Sequence, residues 1–523
     1  MSPVSSVSPV GPVGPGGPVT RVVIVGNGMV GARLAEEIRR RDPSGARVRL
    51  TVLGAEHRPA YNRVLLPSLL AGTLTEDDLG LGAPGRGVRT GVAAVSVDRA
   101  ARVVVTDGGE RVPYDRLVLA TGARAAVPPL PGLLEGSGFA RGVTPLRTLA
   151  DARRLRMLTD RARRHGGRLA VLGGGVLGLE AARAVAARGV AVTVVHPAPY
   201  VMDRQLDAAG GRVLARALRR TGVALRLGGG AAGWEPGVGL RLEDGGLLPA
   251  QGLLLSTGAR AETGLAEACG LATGPAGVTV DATLTTSDPA VHALGDCASL
   301  APGLVQPGWE QAEVLADRLT GADPHARYAG TPQVTRLKAA GIELACLGDP
   351  LEEGDEGEGG DEDEGDEPEV LRLEDPTRER YTKLVLRGGR VTGAILLGVP
   401  DAAAGLVQLY DRGAPAPSDR LALMLGRALP PESGGGPAAL PDHSTVCRCN
   451  SVTKGALRSA WHAGAKSTEE LATATRATTG CGGCRAAVDK IAAWLAETDP
   501  VPGADPTSGG AVQDPVSDSV PVL

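Results

Sequence analysis

Short apolar blocks alternate with glycine-rich breaks along most of this chain. Residues 21–38, RVVIVGNGMVGARLAEEI, begin with five residues of buried-strand type. They pass through Gly26, Gly28 and Gly31 and continue at helical spacing, with Ala35 at a close-packing position. A second strand, RVRLTVLGAE, occupies 47–56. The same order of strand, glycines, helix and strand returns at 168–196, RLAVLGGGVLGLEAARAVAARGVAVTVVH. Further strand patterns lie at 114–124 (YDRLVLATGAR), 252–260 (GLLLSTGAR) and 280–299 (VDATLTTSDPAVHALGDCAS). Residues 326–428 predict several strands, a Gly-Gly hairpin within RYTKLVLRGGRVTGAILLG, and a helix at LVQLY. Beyond them TKGALRSAWHAGA, STEELATATRAT and RAAVDKIAAWLAE read as helices, the last with Ile491 and Trp494 inward. No run of 18 uncharged apolar residues occurs, so the pattern predicts no transmembrane span.

The glycines carry the first chemistry. Gly26, Gly28 and Gly31 form G-x-G-x-x-G between a strand and a helix, where glycine permits a tight turn and lets backbone N–H groups approach a pyrophosphate. Glu56, at the end of the next strand, is placed to accept from a ribose. Gly173, Gly175 and Gly178 repeat the motif about 147 residues later, but that second strand ends in His196. No arginine cluster follows to hold a 2′-phosphate, which leaves both NADH and NADPH open. Two such sites predict a prosthetic and an exchanging nucleotide, naturally FAD and NAD(P)H, whose rings must stack for hydride to pass. A duplicated fold with one dead site is the competing reading. Thr121-Gly122 ends one strand, and Gly295-Asp296 ends another where a carboxylate can accept from flavin ribityl hydroxyls.

Length and charge add organisation. The 523 residues suggest three or four domains. Residues 1–19 and 497–523 are Pro/Gly-rich or polar and read as disordered tails, the first without the features of a secretory signal. The net charge of −4 argues against nucleic-acid binding. Residues 352–369 hold 12 acidic residues and no basic ones, and read as a solvated disordered insertion. Seven cysteines without a signal sequence suggest a cytoplasmic protein whose clustered cysteines bind metal or carry redox chemistry.

Cys269, Cys297 and Cys346 have no partner at C-x-x-C or C-x₄-C spacing, so a redox disulfide near the flavin is not expected. After a Gly/Pro linker at 429–444 come Cys447 and Cys449, then, 31 residues on, Cys481 and Cys484. Two and two, they form a tetrathiolate set fit for a [2Fe–2S] cluster or for zinc. A flavin donor upstream favours the cluster. Nicotinamide gives two electrons together, a [2Fe–2S] centre takes one, and flavin handles both. The remote thiols are then an outlet. The 39 residues after Cys484 contain no cysteine, so a sirohaem or molybdenum unit is expected on another protein.

The ordered motifs resemble the two-dinucleotide-domain flavoprotein reductases over roughly residues 20–325. VGNGMVG, RPAYNRVLLPSLLAG (58–72), VMDRQLD (201–207) and WEQAEVLADRLTG (309–321) resemble the front half of the assimilatory nitrite reductase large subunit, and equally the assimilatory nitrate reductase electron-transfer subunit. The resemblance implies that Arg63 lies by the flavin and Glu180 by the nicotinamide; Pro67 stands where the family more often has serine. Residues 326–428 resemble the C-terminal domain of NADH–rubredoxin-type reductases. C-x-C-x₃₁-C-x₂-C resembles the bacterioferritin-associated-ferredoxin type of [2Fe–2S] domain.

The fold expected is α/β, with two Rossmann-like domains of the pyridine-nucleotide reductase type, a small α+β reductase domain and a small helical [2Fe–2S] domain. Boundaries are FAD-binding at 20–140 and 251–325, NAD(P)-binding at 141–250, the reductase C-terminal domain at 326–428 and the cluster domain at 445–496. The partner implied is an acceptor redox protein, a nitrate or nitrite reductase catalytic subunit, with no nucleic acid and no membrane; a homodimer is allowed. A rubredoxin or ferredoxin reductase unrelated to nitrogen, and a zinc or iron-sensing docking tail, are the alternatives.

Overall fold

The computed structural model describes residues 19–82, 85–300, 303–353, 367–427, 438, 440–447, 450, 452–478 and 484–499. The chain forms two compact units, residues 1–430 and 431–523.

In the first unit, Thr20–Val25 is the centre of a parallel five-stranded sheet. Its order is Val291–Ala293, Arg116–Leu119, Thr20–Val25, Val48–Gly54, Val88–Thr90. Four of the six residues of the central strand are buried, as a strand covered on both faces requires. Helices Met29–Arg41 and Val305–Thr320 cover one face through Leu34, Ile38, Leu315 and Leu319. A three-stranded antiparallel sheet (Ala94–Asp98, Val103–Thr106, Arg111–Pro113) meets the other face through Val104 and Val112.

A second half, the one the sequence assigns to NAD(P), is inserted into this one and repeats it. Its parallel sheet runs Val143–Pro145, Gly252–Leu255, Arg168–Leu172, Ala191–His196, Val223–Leu227. Helix Val176–Ala187 follows its glycine loop, and an antiparallel trio (Ala231–Glu235, Gly239–Leu242, Leu247–Pro249) again covers one face. Gly252–Leu255 corrects a sequence boundary. The sequence pattern gives the segment from 251 to the FAD half, yet this strand pairs with Val143–Pro145 and Arg168–Leu172 in the second sheet. Four apolar residues fit the centre of either parallel sheet, and only pairing decides. The chain crosses between halves at Ala123–Ala125 and Ala259–Ala261, which pair antiparallel.

Five further strands form an antiparallel sheet, order Val334–Ala339, Ile342–Gly348, Arg390–Leu397, Arg380–Arg387, Glu369–Asp375, with helix Pro400–Arg412 on one face. The opposite face packs Leu344, Cys346, Tyr381 and Ile395 into the core of the NAD(P) half. The Gly-Gly hairpin forms as expected. Gly388 and Gly389 take φ of +52° and +70°, the left-handed pair that a two-residue turn requires. The acidic block falls between two strands, as expected, but its ends are structured. Glu352 pairs with Arg387, and Glu369 begins a strand. Residues 354–366 lie outside those described.

In the second unit, hairpin Thr445–Cys447/Val452–Thr453 leads into helices Lys454–His462, Thr468–Thr475 and Arg485–Thr498. Leu457, Trp461, Leu471, Val488, Ile491 and Leu495 form its core. Ile491 is inward as expected, whereas Trp494 is only half-buried and lies under the Lys454 ammonium, 4.5 Å from the ring centroid. Two boundaries move. The last helix runs past 496 to Thr498, and the end of the expected linker belongs to this unit. Lys454 Nζ donates to Leu440 O at 2.6 Å, and Gly455 N to Asp442 O at 2.8 Å. The expected disordered tails, apart from Val19 and residues 497–499, lie outside the described residues. Among the described residues, no helix is long and apolar enough to cross a membrane.

Candidate cofactor sites

Both glycine loops are built alike. Gly26 takes φ of +115°, and a Cβ there would lie 2.1 Å from Ala120 O; one on Gly31 would lie 2.0 Å from Gly26 O. Neither position accepts a side chain. Gly28, at the helix N-terminus, meets nothing within 4 Å. The second loop matches. Gly173 takes φ of +115° with its Cβ direction 2.1 Å from Ser256 O, Gly178 faces Gly173 O at 2.2 Å, and Gly175 faces open space. Two glycines per loop therefore serve the turn and the helix–strand contact. The third exposes backbone N–H groups at the positive end of a helix, as a pyrophosphate needs. The residues fit two dinucleotides.

Around the first loop, three residues expected from the sequence, Glu56, Arg63 and Asp296, fall into one network. Tyr61 donates from its hydroxyl to Glu56 Oε2 at 2.9 Å, and Arg63 pairs with the same carboxylate. Arg63 Nη1 also reaches Arg147 O at 3.1 Å, and Arg147 pairs with Asp296 at 3.2 Å. Two guanidinium groups thus connect the strand-end acid to the acid of the Gly295-Asp296 turn. Gly295, at φ of +72°, is fixed by its N–H to buried Gln311 Oε1 at 2.8 Å. Thr121 donates to Glu262 O at 2.7 Å, and Gly122, at φ of +75°, opens onto free space. Burial pushes the Tyr61 phenol up to about 12, so it remains a donor. Arg147 and Tyr61 were missed in the sequence. Arg147 is separated from Asp296 by 149 positions, and no local pattern connects them.

Around the second loop, His196 Nε2 lies 3.0 Å from Asp203 Oδ1, and its ring packs over Gly174. Glu180 is buried and accepts from Lys338 N at 2.8 Å, so its carboxyl is engaged on the C-terminal sheet. Burial raises its pKa, against a smaller opposing pull from Lys338.

The first unit offers no reactive thiol pair. Cys269, Cys297 and Cys346 are free thiols, and burial raises the pKa of each, that of Cys346 to about 12. Cys297 gives its S–H to backbone oxygens of Leu119 and Leu294, the contacts of a buried filler.

In the second unit, Cys447 and Cys484 lie in one core, while Cys449 and Cys481 fall outside the described residues. Cys484 caps helix Arg485–Thr498, and its sulfur accepts from Thr478 N at 3.2 Å. A helix N-terminus and an N–H donor both favour thiolate, so this donor set fits a thiolate-bound cluster.

Comparison with known proteins agrees with this geometry. A family model for the pyridine nucleotide-disulphide oxidoreductases matches residues 20–312. A model for the rubredoxin NAD+ reductase C-terminal domain matches 334–409, and one for the BFD-like [2Fe-2S] binding domain matches 445–494. The chain is 33% identical to the nitrite reductase [NAD(P)H] of Bacillus subtilis, over 90% of its own length and 57% of that protein. It is 29% identical to the assimilatory nitrate reductase electron transfer subunit of the same organism, over 92% of its length and 60% of that protein. It therefore spans a little over half the length of these relatives. Among solved structures, the covalent putidaredoxin reductase–putidaredoxin complex matches with a TM-score of 0.65 at 26% identity, over 77% of this chain and 95% of that one.

Proposed function

The chain belongs to the pyridine nucleotide-disulphide oxidoreductase family, and from that premise we propose that it delivers electrons from NAD(P)H to a separate redox protein in assimilatory nitrate or nitrite reduction. It is an NAD(P)H- and FAD-dependent oxidoreductase with a BFD-like [2Fe–2S] domain. Bound FAD supplies the exchange between paired and single electrons, and the cluster takes single ones.

One observation carries the reading: a core with two open dinucleotide cradles and three isolated, protonated thiols has no disulfide exit. The outlet is then the cysteine domain. The protein's own groups prepare the path. Gly28 and Gly175 present backbone N–H groups to the two pyrophosphates. Glu56 and Asp296 take ribose and ribityl hydroxyls, and Arg63 and Arg147 offset the negative charge between them. Glu180 is the carboxyl on the nicotinamide side. Cys447, Cys449, Cys481 and Cys484 hold the cluster.

The nitrogen assignment is supported by extent. Similarity to the nitrite and nitrate reductase proteins runs over about nine-tenths of the chain, cysteine domain included, whereas the putidaredoxin reductase–putidaredoxin complex matches 77% of it. The acceptor is a catalytic subunit of that type, and the site of action is the cytoplasm.

Exchange of Cys447 for serine tests the relay. Purified protein shows flavin absorbance with a broad band beyond 500 nm and gains an EPR signal on adding NADH. Cys447→Ser keeps the flavin bands and NADH-driven reduction of a small dye, loses the EPR signal, and reduces cytochrome c at least about tenfold more slowly. Unchanged cytochrome c reduction in a cluster-free variant refutes the outlet.

A further inference from the structure

An NAD-selective fold normally carries an acid at the end of its second strand, where this chain has His196. The loop that follows brings an acid back to the same place. Asp203 Oδ1 lies 3.0 Å from His196 Nε2; the imidazole is enclosed, with 12% of its side chain exposed, while the carboxylate is 39% exposed. A ring that gives its Nε2 hydrogen to Asp203 fixes the carboxylate and leaves Oδ2 able to accept.

The loop is pinned against the glycine turn at several points. The His196 ring fills the space a Gly174 side chain would need, since an added Cβ comes within 2.9 Å of it. Met202, next to Asp203, donates its N–H to Gly174 O at 3.0 Å. It does so from φ of +54° while buried, a conformation that persists only where surrounding contacts impose it. Asp207 closes the loop by capping helix Ala208–Arg220 through Gly210 N at 2.8 Å and by accepting the Tyr381 hydroxyl at 2.5 Å. The loop therefore holds Asp203 beside the turn that receives the nucleotide.

We infer that Asp203 selects the nicotinamide dinucleotide, accepting from the hydroxyls of an unphosphorylated ribose and rejecting a 2′-phosphate, with His196 as its positioning residue. NADH is then the preferred donor. A carboxylate accepts well from a hydroxyl, but a phosphate monoester carries close to two negative charges at neutral pH and has little hydrogen to donate. The next residue in the chain, Arg204, has the opposite charge. It is exposed.

The inference rests on the second loop being the nicotinamide dinucleotide cradle. Calorimetric titration of the flavin-loaded full chain with NAD+ and with NADP+ at pH 8 tests the two claims separately. NAD+ binds at least about tenfold more tightly than NADP+, and Asp203→Asn lowers that ratio about tenfold, the worth of one charge-assisted hydrogen bond. His196→Ala lowers the ratio by less, because the acid remains but is no longer held. Flavin content and melting temperature stay at wild-type values. Equal binding of the two nucleotides, or an unchanged ratio in Asp203→Asn, overturns the role of Asp203. Failure of both nucleotides to bind overturns the cradle reading as well.

Discussion

His292 shows how one enclosed residue sets a response of the whole fold. It sits in the edge strand Val291–Ala293 of the FAD sheet, with Nδ1 3.3 Å from Thr285 Oγ1. Burial, reinforced by Arg116 and Arg318, lowers its pKa from 6.5 to about 4. The unfolded chain therefore takes up this proton first as pH falls, and stability is lost from about pH 6.5 down to about pH 4. Between pH 7 and 5 the linkage amounts to about 2 kcal/mol. His292→Asn, which cannot titrate, removes that loss. Urea unfolding at the two pH values measures it, and Glu180 and the other titrating groups are common to both proteins and cancel. Parallel losses in wild type and variant would clear His292 of the effect. His292 was not legible as a sensor, because its burial comes from packing against elements distant in sequence. The glycines were legible, since their function is local and their spacing is fixed by the turn. Asp203 stands only seven positions from His196, yet it was missed. The left-handed Met202 that turns it back leaves no mark in the sequence.

At the level of the element, the strand–glycine–helix unit separates folding from binding within one loop. Gly173 and Gly178 face backbone at 2.1 and 2.2 Å, whereas Gly175 has ordinary φ of −77° and faces space. Gly175→Ala therefore folds and keeps its flavin, with a melting temperature within about 2 °C of wild type. Its methyl group stands where a pyrophosphate must approach, and NAD+ affinity falls at least about tenfold. Gly173→Ala instead collides with Ser256 O and loses several degrees before binding is considered. Calorimetry on the two variants, with flavin absorbance as the folding control, distinguishes them; equal effects on stability would show that the loop does not divide its tasks this way. The elements themselves were readable because strand and helix periods switch at the glycines. Strand Gly252–Leu255 pairs in the other half from the one the pattern suggests, because four apolar residues carry no address. Parallel pairing is decided by crossover connections rather than by local pattern.

The whole molecule joins a two-electron site to a one-electron site through residues 429–444. Gly and Pro dominate the first part of that stretch, and from Leu440 onward it is tied into the second unit. A flexible tether of this length would give its ends an effective concentration in the millimolar range. The role expected of it from the sequence is kinetic, making electron delivery to the cysteine domain independent of protein concentration. A protease site introduced between residues 432 and 436 allows the tie to be cut in otherwise intact, cofactor-loaded protein. Before cleavage, the NADH-driven rate of cluster reduction per molecule does not change on dilution. After cleavage, dye reduction by the first unit is unchanged. Cluster reduction at about 1 μM protein falls by up to about a thousandfold and becomes proportional to concentration, as expected when a millimolar neighbour is exchanged for a micromolar one. Stopped-flow absorbance beyond 500 nm follows the step directly. A cleaved protein that keeps the original rate at every dilution would mean that a stable interface holds the units together. The peptide would then not be what couples the flavin to the outlet.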